Sequence, residues 1–257
     1  MPDLVIASSE ADAHAAEAVV NHHAQMSGAL GLRVEALVTA AANGDAAAAK
    51  HARGELTDWC ERELLPHAAA EERAFYPAAG GTAQGRLLIE AMLGEHRLIV
   101  GLVHTLARGA ADPVRTAATA TALKEMFGSH LTKENELIVA LLQQTPGVSV
   151  AELLAGMHEL IGQAHPMPAH EGCTCGHSDP AGHPELDARS IPHAIRHATI
   201  FGALETVRPG AGLVLVAPHD PLPLLKQIGE RWPDMFSVEY LESGPEAWRL
   251  EFVRTES

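Results

Sequence analysis

The sequence predicts a mainly α protein, an up-down four-helix bundle followed by a small C-terminal α/β two-layer sandwich of order β-α-β-α-β-β. Three observations carry that prediction. Aromatic residues make up only 4% of the chain and alanine is abundant in the first 160 or so positions, which favours closely packed helices over a β-sandwich. Up to about residue 165 the breaks between long periodic stretches are short. Beyond residue 185, strand-like and helix-like signals alternate.

The breaks at Asn43-Gly44-Asp45, Pro77 to Thr82 and Gly109 to Pro113 delimit four long helices at roughly 9–42, 46–76, 83–108 and 113–144. Asp45, Thr82 and Asp112 are the expected N-caps, because a short side-chain oxygen there can accept from the free amides of the first turn. Pro113 suits a first helical position, where its missing N–H costs nothing. A shorter helix follows Ser149, and short loops between the long helices imply antiparallel neighbours. Residues 166–184 are rich in Pro, Gly, Cys and His without apolar periodicity and read as a linker. In the remainder, Leu213 to Val216 reads as a buried strand, while the stretches around Val238 and Leu250 alternate as half-buried ones. The expected domains are therefore 1–165, the 166–184 linker and 185–257.

A net charge of -15 argues against nucleic acid and against an anionic membrane surface as partners. The N-terminal stretch has no basic region of the signal-peptide kind, and no apolar run approaches the ~20 residues that span a bilayer. A cytoplasmic protein is expected. Three cysteines, two of them in one Cys-Thr-Cys triplet, read as thiols or metal ligands rather than a disulfide scaffold.

The chemistry lies in the histidines. Three pairs place a glutamate four residues after a histidine, on one helix face: His51/Glu55, His67/Glu71 and His130/Glu134. With 16 histidines in the chain the spacing alone is not diagnostic, so depth along the bundle decides. His23 and His67 each stand roughly 30 Å from the turn between the first two helices, and His96 and His130 fall within about 6–8 Å of the same level. His51 precedes His67 by about 160° of helical rotation, so His51/Glu55 points outward when His67/Glu71 points inward. His23 continues the apolar stripe through Met26 and Leu30, which His22 does not. Four imidazoles and two carboxylates converging in a bundle core, His23, His67, Glu71, His96, His130 and Glu134, suit iron. Carboxylates can bridge two ions and offset their buried charge.

These residues resemble the hemerythrin-like, or HHE cation-binding, domains over about the first 145 positions: His23 in NHHAQM, His67 and Glu71 in HAAAEERAFYP, His96 in GEHRLI, and His130 and Glu134 in SHLTKENELI. The resemblance implies two iron ions in a non-haem di-iron centre, bridged by Glu71 and Glu134, with His23 and His67 serving one iron and His96 and His130 the other. One position departs from the pattern. Oxygen-carrying hemerythrins have a second histidine one turn after the third-helix histidine, and here that residue is Val100. His104 is roughly 12 Å from His96 along the helix, too far to substitute. One iron is then left with an open position, or with water or another side chain in it, which counts against simple oxygen carriage and leaves room for redox chemistry or nitric oxide binding.

Residues 185–257 look like the DUF2249 family in LDARSIPHAIRHATIF, LVAPHDPLPLL and VEYLESGPEAWRLEF. That fold resembles the small sulfur-carrier proteins, but this segment has no cysteine, which disfavours sulfur carriage. Its His193 and His197, one turn apart near a helix start, and His219 after a strand read as capping and surface residues in preference to a second metal or ligand site. In the linker, His170, Cys173, Cys175 and His177 offer four donors in eight residues, which read either as a flexible His-rich tether or as a second site for zinc or iron or a reactive thiol couple. Cys60 reads as a core residue.

The expected function is a di-iron protein binding oxygen, nitric oxide or peroxide, in sensing or in a redox or nitrosative stress response, with a protein partner at the C-terminal domain. Two alternatives stay open: a di-iron redox enzyme, including iron–sulfur cluster repair, and an iron-handling protein using the Cys-Thr-Cys linker. The first is preferred because nothing outside the ligand set reads as a catalytic acid, base or nucleophile.

Overall fold

The structure is a computed structural model and describes residues 9–109, 112–164, 183–191 and 195–256. Its helical region runs α1 (Glu10–Ala42), α2 (Ala46–Trp59), α3 (Leu65–Gly80), α4 (Gly85–Arg108), α5 (Pro113–Lys133), α6 (Val139–Gln144) and α7 (Val150–Ala164). Two π-helical stretches, Cys60–Leu64 and Glu134–Ile138, join α2 to α3 and α5 to α6 without a break. Four long helical segments therefore form the bundle, as the short breaks predict. The expected caps are in place. Asp45 Oδ1 accepts from the amides of Ala47 and Ala48, Asp112 Oδ1 from that of Val114, and Ser149 Oγ from that of Glu152. The second segment runs on through Pro77 to Gly80 rather than stopping at 76. Thr82 Oγ1 caps by accepting from the amide of Gly85, where regular helix begins, two residues later than expected.

The C-terminal part carries β1 (Glu185–Asp187), α8 (Arg196–Glu205), β2 (Gly212–Ala217), α9 (Leu222–Arg231), β3 (Phe236–Ser243) and β4 (Trp248–Arg254). The sheet order is β1-β2-β4-β3, with β1 and β2 parallel and both other pairings antiparallel. Alternate residues Leu213, Leu215, Leu250 and Phe252 share one core with Ile200, Ala203, Leu224 and Ile228, so both helices cover the same sheet face. β2 is buried along its whole length, as its unbroken apolar run requires of a central strand.

The chain gathers into two compact units. The first holds the described residues of 1–23, 57–109 and 122–173, and the second those of 24–56, 110–121 and 174–257. In the first, α7 packs its Val150 and Met157 into the cluster containing Val19, Phe75, Ile138 and Val139. Its start is tied to α1 by buried Asp12, whose Oδ1 accepts from Ser149 Oγ at 2.8 Å and from the Ala151 amide at 3.1 Å. In the second, Leu32 of α1 joins the core beneath the sheet, and α1 and α8 approach backbone to backbone at Gly28 and Gly202. Among the described residues, no helix is long and apolar enough to cross a membrane.

Candidate metal centre

Every predicted bundle residue converges on one buried cluster in the first unit. His23 comes from α1, His67 and Glu71 from α3, His96 from α4, His130 from α5, and Glu134 opens the second π-helical stretch. Each is between 1% and 4% exposed, which for two carboxylates and four imidazoles demands compensation. His22 is exposed, so His23 is the α1 residue that enters. His51 is exposed too, its Nε2 3.0 Å from Arg208, while Glu55 pairs with the same guanidinium; the outward orientation expected from helical phase holds. His104 is exposed.

The two carboxylates each divide their oxygens between two histidine pairs. Glu71 Oε1 lies 2.9 Å from His67 Nε2 and 3.3 Å from His23 Nε2, while its Oε2 lies 3.6 Å from His96 Nε2. Glu134 Oε1 lies 3.5 Å from His130 Nε2, and its Oε2 3.9 Å from His23 Nε2. The donor atoms of Glu71, His96, His130 and Glu134 all fall within 4.8 Å of one another, as do those of His23, His67 and Glu71. Glu71 belongs to both groups.

Outside this ring, three of the four helical segments supply a partner to a histidine of another. Glu72 of α3 meets His96 Nδ1 at 2.8 Å, Glu95 of α4 meets His130 Nδ1 at 3.1 Å, and Asn135 after α5 meets His23 Nδ1 at 2.7 Å. A carboxylate can only accept, so Nδ1 of His96 and of His130 carries a proton, and Nε2 of each ring is the nitrogen that faces the cluster. Lys133 pairs in turn with Glu95. The cycle is incomplete at His67, whose ring centroid is 5.1 Å from that of His22. Tyr76 is a further member that neither spacing nor the family pattern singled out: its buried hydroxyl donates to Glu134 Oε1 at 2.7 Å.

For the side chains alone the electrostatics are strained. Burial disfavours charged His23 and His96, yet the contact with Glu71 and the carboxylate charges outweigh it and raise both pKa values. Burial acts to raise Glu71, but the charge of His67 and the hydrogen bonds of His23 and His96 hold it well below the usual carboxylate range. Burial, then the charges of Glu134 and Glu71, push the Tyr76 phenol far above its ordinary value. The hydrogen bonding does not close. Both ring nitrogens of His67 and Oε2 of Glu134 are buried without a hydrogen-bond partner among the described residues, and the 2.9 Å approach of His67 Nε2 to Glu71 lacks the angle of a hydrogen bond. Nitrogen and carboxylate oxygen atoms left unsatisfied in an apolar bundle are the donors a metal cation takes.

Fold and cluster together define a helical metal-binding protein. Its affiliation follows from comparison with known families: the chain belongs to the hemerythrin HHE cation-binding domain family, which matches residues 14–142, half of the sequence. Residues 185–254 match a second family, described as uncharacterized conserved protein DUF2249. Neither the curated proteins nor the solved structures gave a match.

The linker donors His170, Cys173, Cys175 and His177 lie outside the described residues, as does His193. His219 is exposed, and exposed His197 meets Gln227 at 3.1 Å. Cys60 is buried in the first π-helical stretch.

Proposed function

We propose that the bundle is a non-haem di-iron protein that binds oxygen or nitric oxide, acting in sensing or in a redox or nitrosative stress response. The observation that carries this reading is the division of Glu71 and Glu134, each with one oxygen toward His23 and the other toward His96 or His130. Two carboxylates split in this way are bridges in waiting, with His23 and His67 at one position and His96 and His130 at the other. Iron held by these residues would supply a redox couple and a site for a small ligand. The chain's own contribution is to orient the imidazoles through Glu72, Glu95 and Asn135, and to keep bulk solvent away.

Ligand size is set by the surroundings. A cavity of about 10 Å³ touches His23, Glu71 and Glu134 and is otherwise walled by Val19, Phe75, Ile138, Val139 and Met157. That is room for about one water-sized molecule, which suits a small ligand such as oxygen or nitric oxide. Met157 comes from α7, so the latch at Asp12 also closes this wall.

Element-resolved metal analysis of the purified chain tests the reading. About two irons per chain, with a visible spectrum that changes on adding nitric oxide, are expected. About one zinc with little iron sinks it and points to the linker.

The outer partners give a graded test. Glu95→Ala is expected to weaken iron binding about 10- to 100-fold while leaving the saturating stoichiometry unchanged, because His130 keeps its place but loses the group that fixes its tautomer. Titration against a competing chelator measures this, and an unaltered affinity removes Glu95 from the centre.

A further inference from the structure

Tyr76 is the one group in the cluster that the di-iron reading leaves without a task. Its hydroxyl is 2.7 Å from Glu134 Oε1, 3.2 Å from His96 Nε2 and 3.4 Å from His130 Nε2. Those two nitrogens are themselves 2.9 Å apart. With Nδ1 of His96 and of His130 donating outward to Glu72 and Glu95, Nε2 of each ring is an acceptor whenever that ring is neutral, as a metal-binding imidazole must be. One hydroxyl proton thus faces three acceptors that converge on the same point. A phenol that needed only a hydrogen-bond partner is satisfied by Glu134 alone and has no reason to sit among two lone pairs.

The position is also the one where the ligand set falls short. Val100 provides no donor at the His96 end, and the ring of Tyr76 stacks on His96 at 5.2 Å between centroids with an 18° interplanar angle, so its oxygen is delivered to that end and not to His67. Charge argues the same way. Two divalent ions bring four positive charges into a core whose bridging carboxylates supply two negative ones, and a phenolate supplies a third.

We propose that Tyr76 is a further protein ligand of the centre, its phenolate oxygen completing the His96/His130 position where the family pattern has a second histidine. The inference rests on the di-iron reading. When the iron–oxygen bond forms, the O–H bond breaks and the proton leaves to the buffer; no electron is transferred.

The test is optical and separate from any activity. The full-length chain and Tyr76→Phe are loaded with ferric iron, iron per chain is measured, and visible absorption and resonance Raman spectra are recorded. The parent chain is expected to show a phenolate-to-iron(III) charge-transfer band with enhanced phenolate ring modes, and Tyr76→Phe to lose both while retaining its iron. The assignment is clean because the only other tyrosine, Tyr240, lies on β3 and donates to Asp220. Iron-loaded parent protein without phenolate modes, or a variant that keeps them, overturns the proposal alone. Failure of the parent chain to take up iron overturns the di-iron reading and this proposal together, whereas loss of iron from Tyr76→Phe alone, with phenolate modes in the parent, supports Tyr76 as a ligand.

Discussion

His67→Ala is expected to lower the iron content from about two per chain to one or fewer, with the helical circular dichroism signal retained. The reason lies in what His67 does when no cation is present. It is 2% exposed and neither ring nitrogen has a hydrogen-bond partner among the described residues, so the side chain is expected to cost the fold about 1–3 kcal/mol of unrecovered desolvation. Removing it loses packing but also removes that cost. The metal-free variant should therefore unfold within about 1–2 kcal/mol of the metal-free parent, unlike most large-to-small changes in a core. The two differ in what iron adds. Iron raises the midpoint of the parent by linkage, and this increment should shrink or vanish in His67→Ala. Calorimetry with and without iron reads both quantities. A variant that keeps about two irons and the full increment refutes His67 as a ligand.

The same accounting shows which parts of the centre were open to sequence reasoning. His23, His67, Glu71, His96, His130 and Glu134 were legible because helical rise and rotation are fixed: equal depth from a turn and a common face are computable from residue numbers. The outward orientation of His51 followed from the same arithmetic. The π-helical stretches were not legible. Cys60–Leu64 and Glu134–Ile138 carry no composition that distinguishes them from the α-helix on either side, and 46–76 and 113–144 read as uninterrupted segments.

Tyr76 was hidden by the arithmetic that found the others. It follows Glu71 by five residues, about 140° around an ideal helix, and a phase argument assigns it to a different face. The length of the phenol side chain, not the direction of its Cα–Cβ bond, brings the hydroxyl back to Glu134. Glu72, Glu95 and Asn135 were hidden for a related reason. Each is the sequence neighbour of a cluster residue, about 100° away from it, and reads as a solvated residue on its own helix. Its partner is a histidine of a different helix, and only packing shows that. In each case the pairing in the chain, Glu71-Glu72, Glu95-His96 and Glu134-Asn135, is a signal that could have been sought: an inward ligand next to a polar group aimed at the neighbouring helix.

Glycine supplies the second large effect, at the crossing of α1 and α8. A Cβ on Gly28 would stand 2.0 Å from the carbonyl oxygen of Thr199, and one on Gly202 would stand 2.2 Å from that of Gln25. Both obstacles are backbone, so no side chain can turn aside and the two helices have to separate. Alanine is the informative substitution, because two effects of opposite sign compete in it. In an open helical site it stabilises by about 0.5–1 kcal/mol through its lower unfolded-state entropy and better propensity. At Gly28 and Gly202 the overlap is expected to win, costing about 1–3 kcal/mol net, or roughly 2–12 °C in midpoint at 2–4 °C per kcal/mol. Gly31, on the same helix as Gly28 but with nothing within 4 Å of its added Cβ, is the control, and Gly31→Ala should move the midpoint up by a few degrees. Thermal unfolding of the three variants decides the matter by sign alone. If Gly202→Ala and Gly28→Ala rise together with Gly31→Ala, the close approach of α1 and α8 is wrong. If they fall while Gly31→Ala rises, the Cα–H faces of the two glycines are what let the helix following β1 lie directly on α1, and any larger residue there separates them.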